Sequence, residues 1–342
     1  MKKIEHCLIT GGAGFIGCNM AARLIREGIK VRIFDNLSRA GVQKNLDWLN
    51  ITFPGMFDFI QGDVRDFNAV CAAVRDVDTI FHYASQVAVT TSVVNPRHDF
   101  EVNGFGTINV LEAARLAQPS PAVLFTSTNK VYGKLAALGI LEAEKRYSFE
   151  KNPWGVDETQ PLDFYSPYGC SKGAADQYVL DYARIYGMQT VVFRMSCIYG
   201  PHQFGNEDQG WVVHFVISAL TGRLLNIYGD GKQVRDILYV EDLTEAFLTA
   251  ARQIEKTAGN AFNIGGGLDN SISLLELMDI LKSVTKKSIP AEYFDWRPGD
   301  QKVYVSNIAR ASRTFDWRPK ISREEGVRRL CDWVTDNRHL FE

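Results

Sequence analysis

The chain has 342 residues, 46% of them hydrophobic and 23% charged, with a formal net charge of −2. That balance describes a globular protein with ample length for a large core, and it excludes the single-sign field that nucleic-acid binders use to displace counterions. The six cysteines, Cys7, Cys18, Cys71, Cys170, Cys197 and Cys331, contain no Cys-x-x-Cys and the six histidines are dispersed, so no metal site and no disulfide framework is expected.

Leu8-Ile9-Thr10 runs into glycines where a secretory leader would stay apolar, and no stretch is long and apolar enough to cross a bilayer. A cytoplasmic protein with neither a membrane nor a nucleic-acid partner is the expectation. Cys7-Leu8-Ile9-Thr10 reads as a short buried strand, followed by Gly11-Gly12-Ala13-Gly14-Phe15-Ile16-Gly17 and a helical stretch that ends near Gly28. A glycine turn in that place lets backbone N–H groups approach a pyrophosphate, and the helix N-terminus adds a field favourable to anions. The spacing satisfies Gly-x-Gly-x-x-Gly at Gly12, Gly14 and Gly17, and Gly-x-x-Gly-x-x-Gly at Gly11, Gly14 and Gly17. The next strand ends in Asp35, about 20 residues past the glycines, where a carboxylate can accept from an adenosine ribose. Its charge would repel a 2′-phosphate, so NAD is preferred to NADP; nearby Arg39 is the residue that argues the other way.

Further apolar runs follow at residues 56–60, 78–82, 122–125 and 189–193, with helix-like stretches between them. This alternation predicts an α/β fold, a Rossmann-type doubly wound parallel sheet covered on both faces. Asp63 and Val64 follow one strand and could meet an adenine; Ala84 and Gln86 follow another and could line the middle of a dinucleotide. Thr126-Ser127-Thr128 leaves a strand with three successive hydroxyls, any of which could bond a substrate hydroxyl. Residues 134–159 form a polar stretch longer than a connection needs, and a lid is expected there.

Ser166-Pro167-Tyr168-Gly169-Cys170-Ser171-Lys172 comes next. Ser166 is a good N-cap and Pro167 a good first helical residue, which places Tyr168 and Lys172 on one face of a helix's opening turns. A phenol titrates at about pH 10. An ammonium beside it favours phenolate and makes the tyrosine a general base nearer neutrality. After Arg194 the alternation loosens. Arg235 and Arg297 fall in turn-rich segments, where fork-shaped donors suit a diphosphate. A dinucleotide-binding domain over 1–194 and a smaller substrate lobe over 195–342 are expected, with some of the second segment returning to the first domain.

With these residues in hand, the chain resembles the extended short-chain dehydrogenase/reductase family. Thr10-Gly11-Gly12-Ala13-Gly14-Phe15-Ile16-Gly17 is similar to its opening motif, and Tyr168-Gly169-Cys170-Ser171-Lys172 to its catalytic pair. The resemblance implies Thr128, Tyr168 and Lys172 as the catalytic set. It implies contacts to NAD from Gly11, Gly14, Phe15, Ile16, Gly17, Asp35, Asn36, Arg39, Asp63, Val64, Ala84, Gln86 and Asn103, beside Tyr168 and Lys172. A nucleotide-sugar would meet Ser127, Thr128, Gln209, Trp211, Arg235 and Arg297, and a homodimer or tetramer is implied. Residues 127–133, 166–187, 208–212 and 231–236 resemble those members that invert C2 of a CDP-linked sugar through a 2-keto intermediate. Members that eliminate water resemble this chain too, but carry an Asp-Glu pair where Asn129 and Lys130 stand. A 4-epimerase would use the same Thr/Tyr/Lys set, and a non-catalytic NAD-binding regulator would lack the tyrosine or lysine that this chain keeps.

Overall fold

Seven short strands make the central sheet: β1 (His6–Thr10), β2 (Lys30–Asp35), β3 (Phe57–Gln61), β4 (Thr79–His82), β5 (Ala122–Thr128), β6 (Thr190–Met195) and β7 (Asn260–Ile264). The computed structural model describes residues 2–206, 209–286, 289–296 and 301–341. All six pairings are parallel, in the order β7-β6-β5-β4-β1-β2-β3. Chain direction through the sheet reverses between β1 and β4. The carboxyl ends of those two strands therefore diverge into separate connections and leave a crevice between them.

β4 and β5 are buried at every position. Both faces of the sheet are covered, which is why these strands read as continuous apolar runs without alternation. Successive side chains point to opposite faces, so Ile9, Ile33, Phe81, Leu124 and Phe193 pack under the helices Phe15–Arg26 and Val240–Arg252. Leu8, Phe34, Ile80, Val123, Phe125 and Val192 pack under Gly106–Leu116 and Ser166–Tyr186.

Beyond residue 194 the chain is divided. β7 and the helix Val240–Arg252 lie on the central sheet, while Val212, Phe215, Leu225, Ile227, Leu277 and Leu330 form a separate core. Around that core run two small sheets: Val234–Tyr239 pairs with Cys197–Tyr199, Ser271–Ser273 and Val303–Tyr304, and Leu225–Tyr228 pairs with Ala291–Phe294. Among the described residues no helix is long and apolar enough to cross a membrane.

Residues 134–159, where a lid is expected, form a strap packed against both parts of the chain. Ile140–Glu142 and Tyr147–Phe149 form a hairpin whose Tyr147 and Phe149 bury against Val131, Val234, Val303 and Tyr304. Tyr147 N–H donates to Lys232 O at 2.9 Å, and Asn263 N–H on β7 donates to Glu158 Oε1 at 2.7 Å. Aromatic burial at two alternating positions ties the segment down, whatever its polar composition.

One buried network joins the strands to the helix Ser166–Tyr186. The Arg194 guanidinium grips both carboxylate oxygens of Asp176 at 2.9 Å, and Ser127 Oγ donates to Asp176 at 2.7 Å. Arg194 also donates to Tyr132 Oη at 3.2 Å, and that hydroxyl donates to Asn263 at 2.7 Å. Removing one member of a buried pair strands the other charge, so Asp176→Ala is expected to cost about 3–5 kcal/mol in urea unfolding. The double variant Asp176→Leu/Arg194→Met should recover much of that loss. Equal losses in the single and double variants would show that the pair's charge is not what the fold depends on.

Candidate active site

The crevice between β1 and β4 opens into a cavity of about 510 Å³. At its floor the glycine turn crosses from β1 to the helix Phe15–Arg26. Gly11 has φ 67°, and a Cβ there would sit 2.7 Å from Ala84 N at the end of β4. A Cβ on Gly17 would sit 2.3 Å from Gly11 O, so only glycine lets the first helical turn close onto the loop. The helix is entered through Gly14 without a side-chain cap, which leaves first-turn N–H groups for an anion.

Asp35 closes β2. Its carboxylate accepts from Ala13 N–H at 3.1 Å and Leu37 N–H at 2.8 Å; burial raises its pKa while those amides oppose the rise. Asp63 is differently occupied. Arg65 donates to its two oxygens at 2.9 and 2.8 Å and Asn36 adds 2.9 Å, which holds Asp63 well below the usual carboxylate range. Asp35 is the carboxylate with acceptor capacity to spare for a ligand hydroxyl. Gln86 Oε1 and Gln203 Oε1, on residues that line the cavity, are buried without a hydrogen-bond partner among the described residues. Orphaned acceptors of this kind fit a ligand carrying donors along its length.

At the opposite end stand Tyr168 and Lys172, 9% and 2% exposed, on the helix Ser166–Tyr186. Ser166 has φ 75°, and its Oγ accepts from Gly169 N–H at 3.2 Å, the bond expected of a capping serine. Tyr168 N–H donates to Ser92 Oγ at 3.1 Å. Burial pushes the Tyr168 phenol up to about 12; a hydrogen bond from the Thr128 side chain and the charge of Arg39 act downward, and Asp99 acts upward. Burial brings Lys172 down to about 7 against the pull of Asp99 and Asp176. Lys172 Nζ lies over the Phe125 ring, 4.2 Å from its centroid, and desolvation dominates both groups.

The three hydroxyls at the end of β5 have separate tasks. Thr126 donates to His82 O at 3.1 Å and Ser127 to Asp176, and both line the cavity; Thr128, behind that wall, donates to Asn129 Oδ1 at 3.3 Å and accepts from Lys130 N–H at 3.2 Å, while its side chain acts downward on the phenol. Gly11, Gly14, Phe15, Ile16, Gly17, Asp35, Asn36, Arg39, Asp63, Val64, Ala84, Gln86, Ser127, Tyr168, Lys172 and Gln209 all line the cavity. Asn103 does not. It is spent on the backbone of Gln86, accepting from its N–H at 2.9 Å and donating to its carbonyl at 3.0 Å, so it supports the wall from behind.

Gln209 reaches across the opening and accepts from Arg39. Trp211 and Arg235 are grouped outside the cavity wall: Trp211 Nε1–H donates to Cys197 Sγ at 3.4 Å, and the Arg235 charge opposes the upward push of burial on that thiol. Arg297 lies outside the described residues. His202, Gln203 and Phe204 line the cavity without having been expected there. Phe204 is seated against Gly41, where a Cβ would meet its ring at 2.4 Å, and Asn45 holds His202 O at 3.2 Å. Only the Gly-Pro turn before them marks that loop in the sequence.

A family model described as GDP-mannose 4,6 dehydratase matches residues 8–330. The chain is 46% identical to the CDP-paratose 2-epimerase of Salmonella typhi, over 96% of this chain and 98% of that protein. Among solved structures, a Thermus thermophilus UDP-glucose 4-epimerase in complex with NAD superposes at TM-score 0.81 with 30% identity, covering 96% of this chain and 99% of the other. A dTDP-glucose 4,6-dehydratase of Streptomyces venezuelae, with NAD bound, gives 0.83 and 28%, covering 98% of both chains. The chain belongs to the GDP-mannose 4,6 dehydratase family of extended short-chain dehydrogenases/reductases.

Proposed function

We propose that this chain is an NAD-dependent nucleotide-sugar epimerase that inverts C2 of a CDP-linked sugar, interconverting CDP-paratose and CDP-tyvelose. The observation that carries the reading is the acid–base inventory around Tyr168. Eliminating water from a keto sugar needs a base at carbon and an acid at the departing hydroxyl. The acidic side chains lining the cavity among the described residues are Asp35 and Asp63, both at the end away from Tyr168. Asn129 and Lys130 follow Thr128 where an acid and a base would have to stand. Epimerisation through a ketone needs only one group that takes a proton and returns it, and Tyr168 supplies that group.

Similarity to the Salmonella typhi enzyme supports the CDP handle and the C2 position. When bound, NAD supplies the hydride acceptor and then the hydride donor. The glycine turn would hold its pyrophosphate and Asp35 its ribose. Tyr168 Oη would take the proton of the sugar hydroxyl, which Thr128 orients, and give it back after the sugar has turned. Lys172 would bond the ribose beside Tyr168. A nucleotide bound away from C2, at Arg235 and Trp211, retains a small sugar without fixing its face. Tyr178, Ile185 and Tyr186 on the Tyr168 helix are exposed, which supports a homodimer or tetramer, and six free cysteines support a cytoplasmic setting.

Purified protein given CDP-paratose and no added NAD should form CDP-tyvelose; turnover of UDP-glucose in its place would move the reaction to C4. Tyr168→Phe should lower kcat by at least about 100-fold, the scale of a lost general base, with NAD still bound. Loss of NAD together with activity would mark the tyrosine as structural. Asp35→Ala should purify with little NAD, and unchanged cofactor content would contradict the ribose assignment.

A further inference from the structure

Lys172 is 2% exposed, and a buried ammonium requires a counter-charge or it surrenders its proton. Two carboxylates act on it, Asp99 and Asp176. Asp176 is already matched: both of its oxygens lie in the Arg194 fork at 2.9 Å. Asp99 is 1% exposed and is held by neutral donors, accepting from Ser171 Oγ and from Asn103 Nδ2, the latter at 3.2 Å. It has no guanidinium on it among the described residues; burial raises its pKa, and Ser171, Lys172 and His98 act downward.

Other titratable and charged groups face this cluster. His82 on β4 lies between Thr10 Oγ1 at 2.6 Å and Thr107 Oγ1 at 3.0 Å, and burial together with Lys172 takes it down to about 3, so it is neutral. His98, beside Asp99 in sequence, lies 3.5 Å from Arg65 and acts on the Asp99 carboxylate in the same sense as Lys172. Arg97 is committed to Glu101 at 2.9 Å. Arg39 acts on Tyr168 from the far wall.

We propose that Asp99, set beside the Tyr168–Lys172 turn by its bond from Ser171, is the counter-charge that keeps Lys172 an ammonium. Asp99 does not line the cavity and acts through Lys172, which makes it a positioning residue. The inference rests on the reading of Tyr168 and Lys172 as the working pair. Its charge acts on both members in the same sense: it favours the protonated lysine and the protonated phenol.

Asp99→Asn tests it. Removing the negative charge should move both limbs of the kcat–pH profile to lower pH, by about one unit, because the phenolate forms sooner and the ammonium is lost sooner. Asp99→Glu and Ser171→Ala keep the carboxylate and should leave the limbs in place. Limbs that stay put in Asp99→Asn, or that move equally in Ser171→Ala, overturn the proposal. Carboxyl-carbon NMR of labelled aspartate needs neither substrate nor activity and decides the point even if the epimerase reading fails or Asp99→Asn does not fold. Taking away Lys172 with Lys172→Met should raise the Asp99 titration midpoint by a similar amount, and an unchanged midpoint contradicts the pairing.

Discussion

A guanidinium and a carboxylate withdrawn together from water can be held only if each satisfies the other, and the Arg194–Asp176 fork is where this fold meets that condition. Arg194 belongs to β6 and Asp176 to the helix that carries Tyr168 and Lys172, so the fork locks that helix to the sheet. Ser127 is fastened to the same carboxylate, and Tyr132 and Asn263 extend the network to β7. The distance between the end of β5 and the Tyr168 face is therefore set by a single hydrogen-bonded unit. Thr128 stands where it can act on the phenol because its neighbours are already tied down.

The same burial that fixes the geometry sets the electrostatics. A phenol pushed up to about 12 is a poor base by itself, and a lysine brought down to about 7 is a weak cation. Each is returned toward its working form by a particular neighbour: Thr128 and Arg39 for the phenol, Asp99 and Asp176 for the amine. The opposite end of the cavity is built for recognition. There Asp35 keeps free acceptor capacity while Asp63 is consumed by Arg65 and Asn36.

What could be read from the chain alone was local. The glycine turn, the carboxylate at the end of β2, the capped Tyr168–Lys172 turn and six of the sheet's strands are written in contiguous residues whose spacing has a physical meaning. β7 was not legible: Asn260 and Asn263 interrupt its apolar run, and its place beside β6 follows from long-range pairing. The stretch at residues 134–159 reads as a lid because it is longer than a connection needs, while the packing of its Tyr147 and Phe149 depends on partners distant in sequence. Asn103 and Asp99 show the same limit from the other side. Their roles depend on Gln86, Ser171 and Lys172, partners brought together only by the folded sheet.

The central claim is that the hydrogen at C2 leaves as hydride and returns to the same carbon while Tyr168 handles only the hydroxyl proton. Proton NMR of CDP-paratose turned over in deuterated water tests it most directly. The predicted product is CDP-tyvelose with its C2 hydrogen retained. Deuterium entering at C2 would mean that the carbon itself is deprotonated, and would contradict the roles assigned to Tyr168, Thr128 and Lys172.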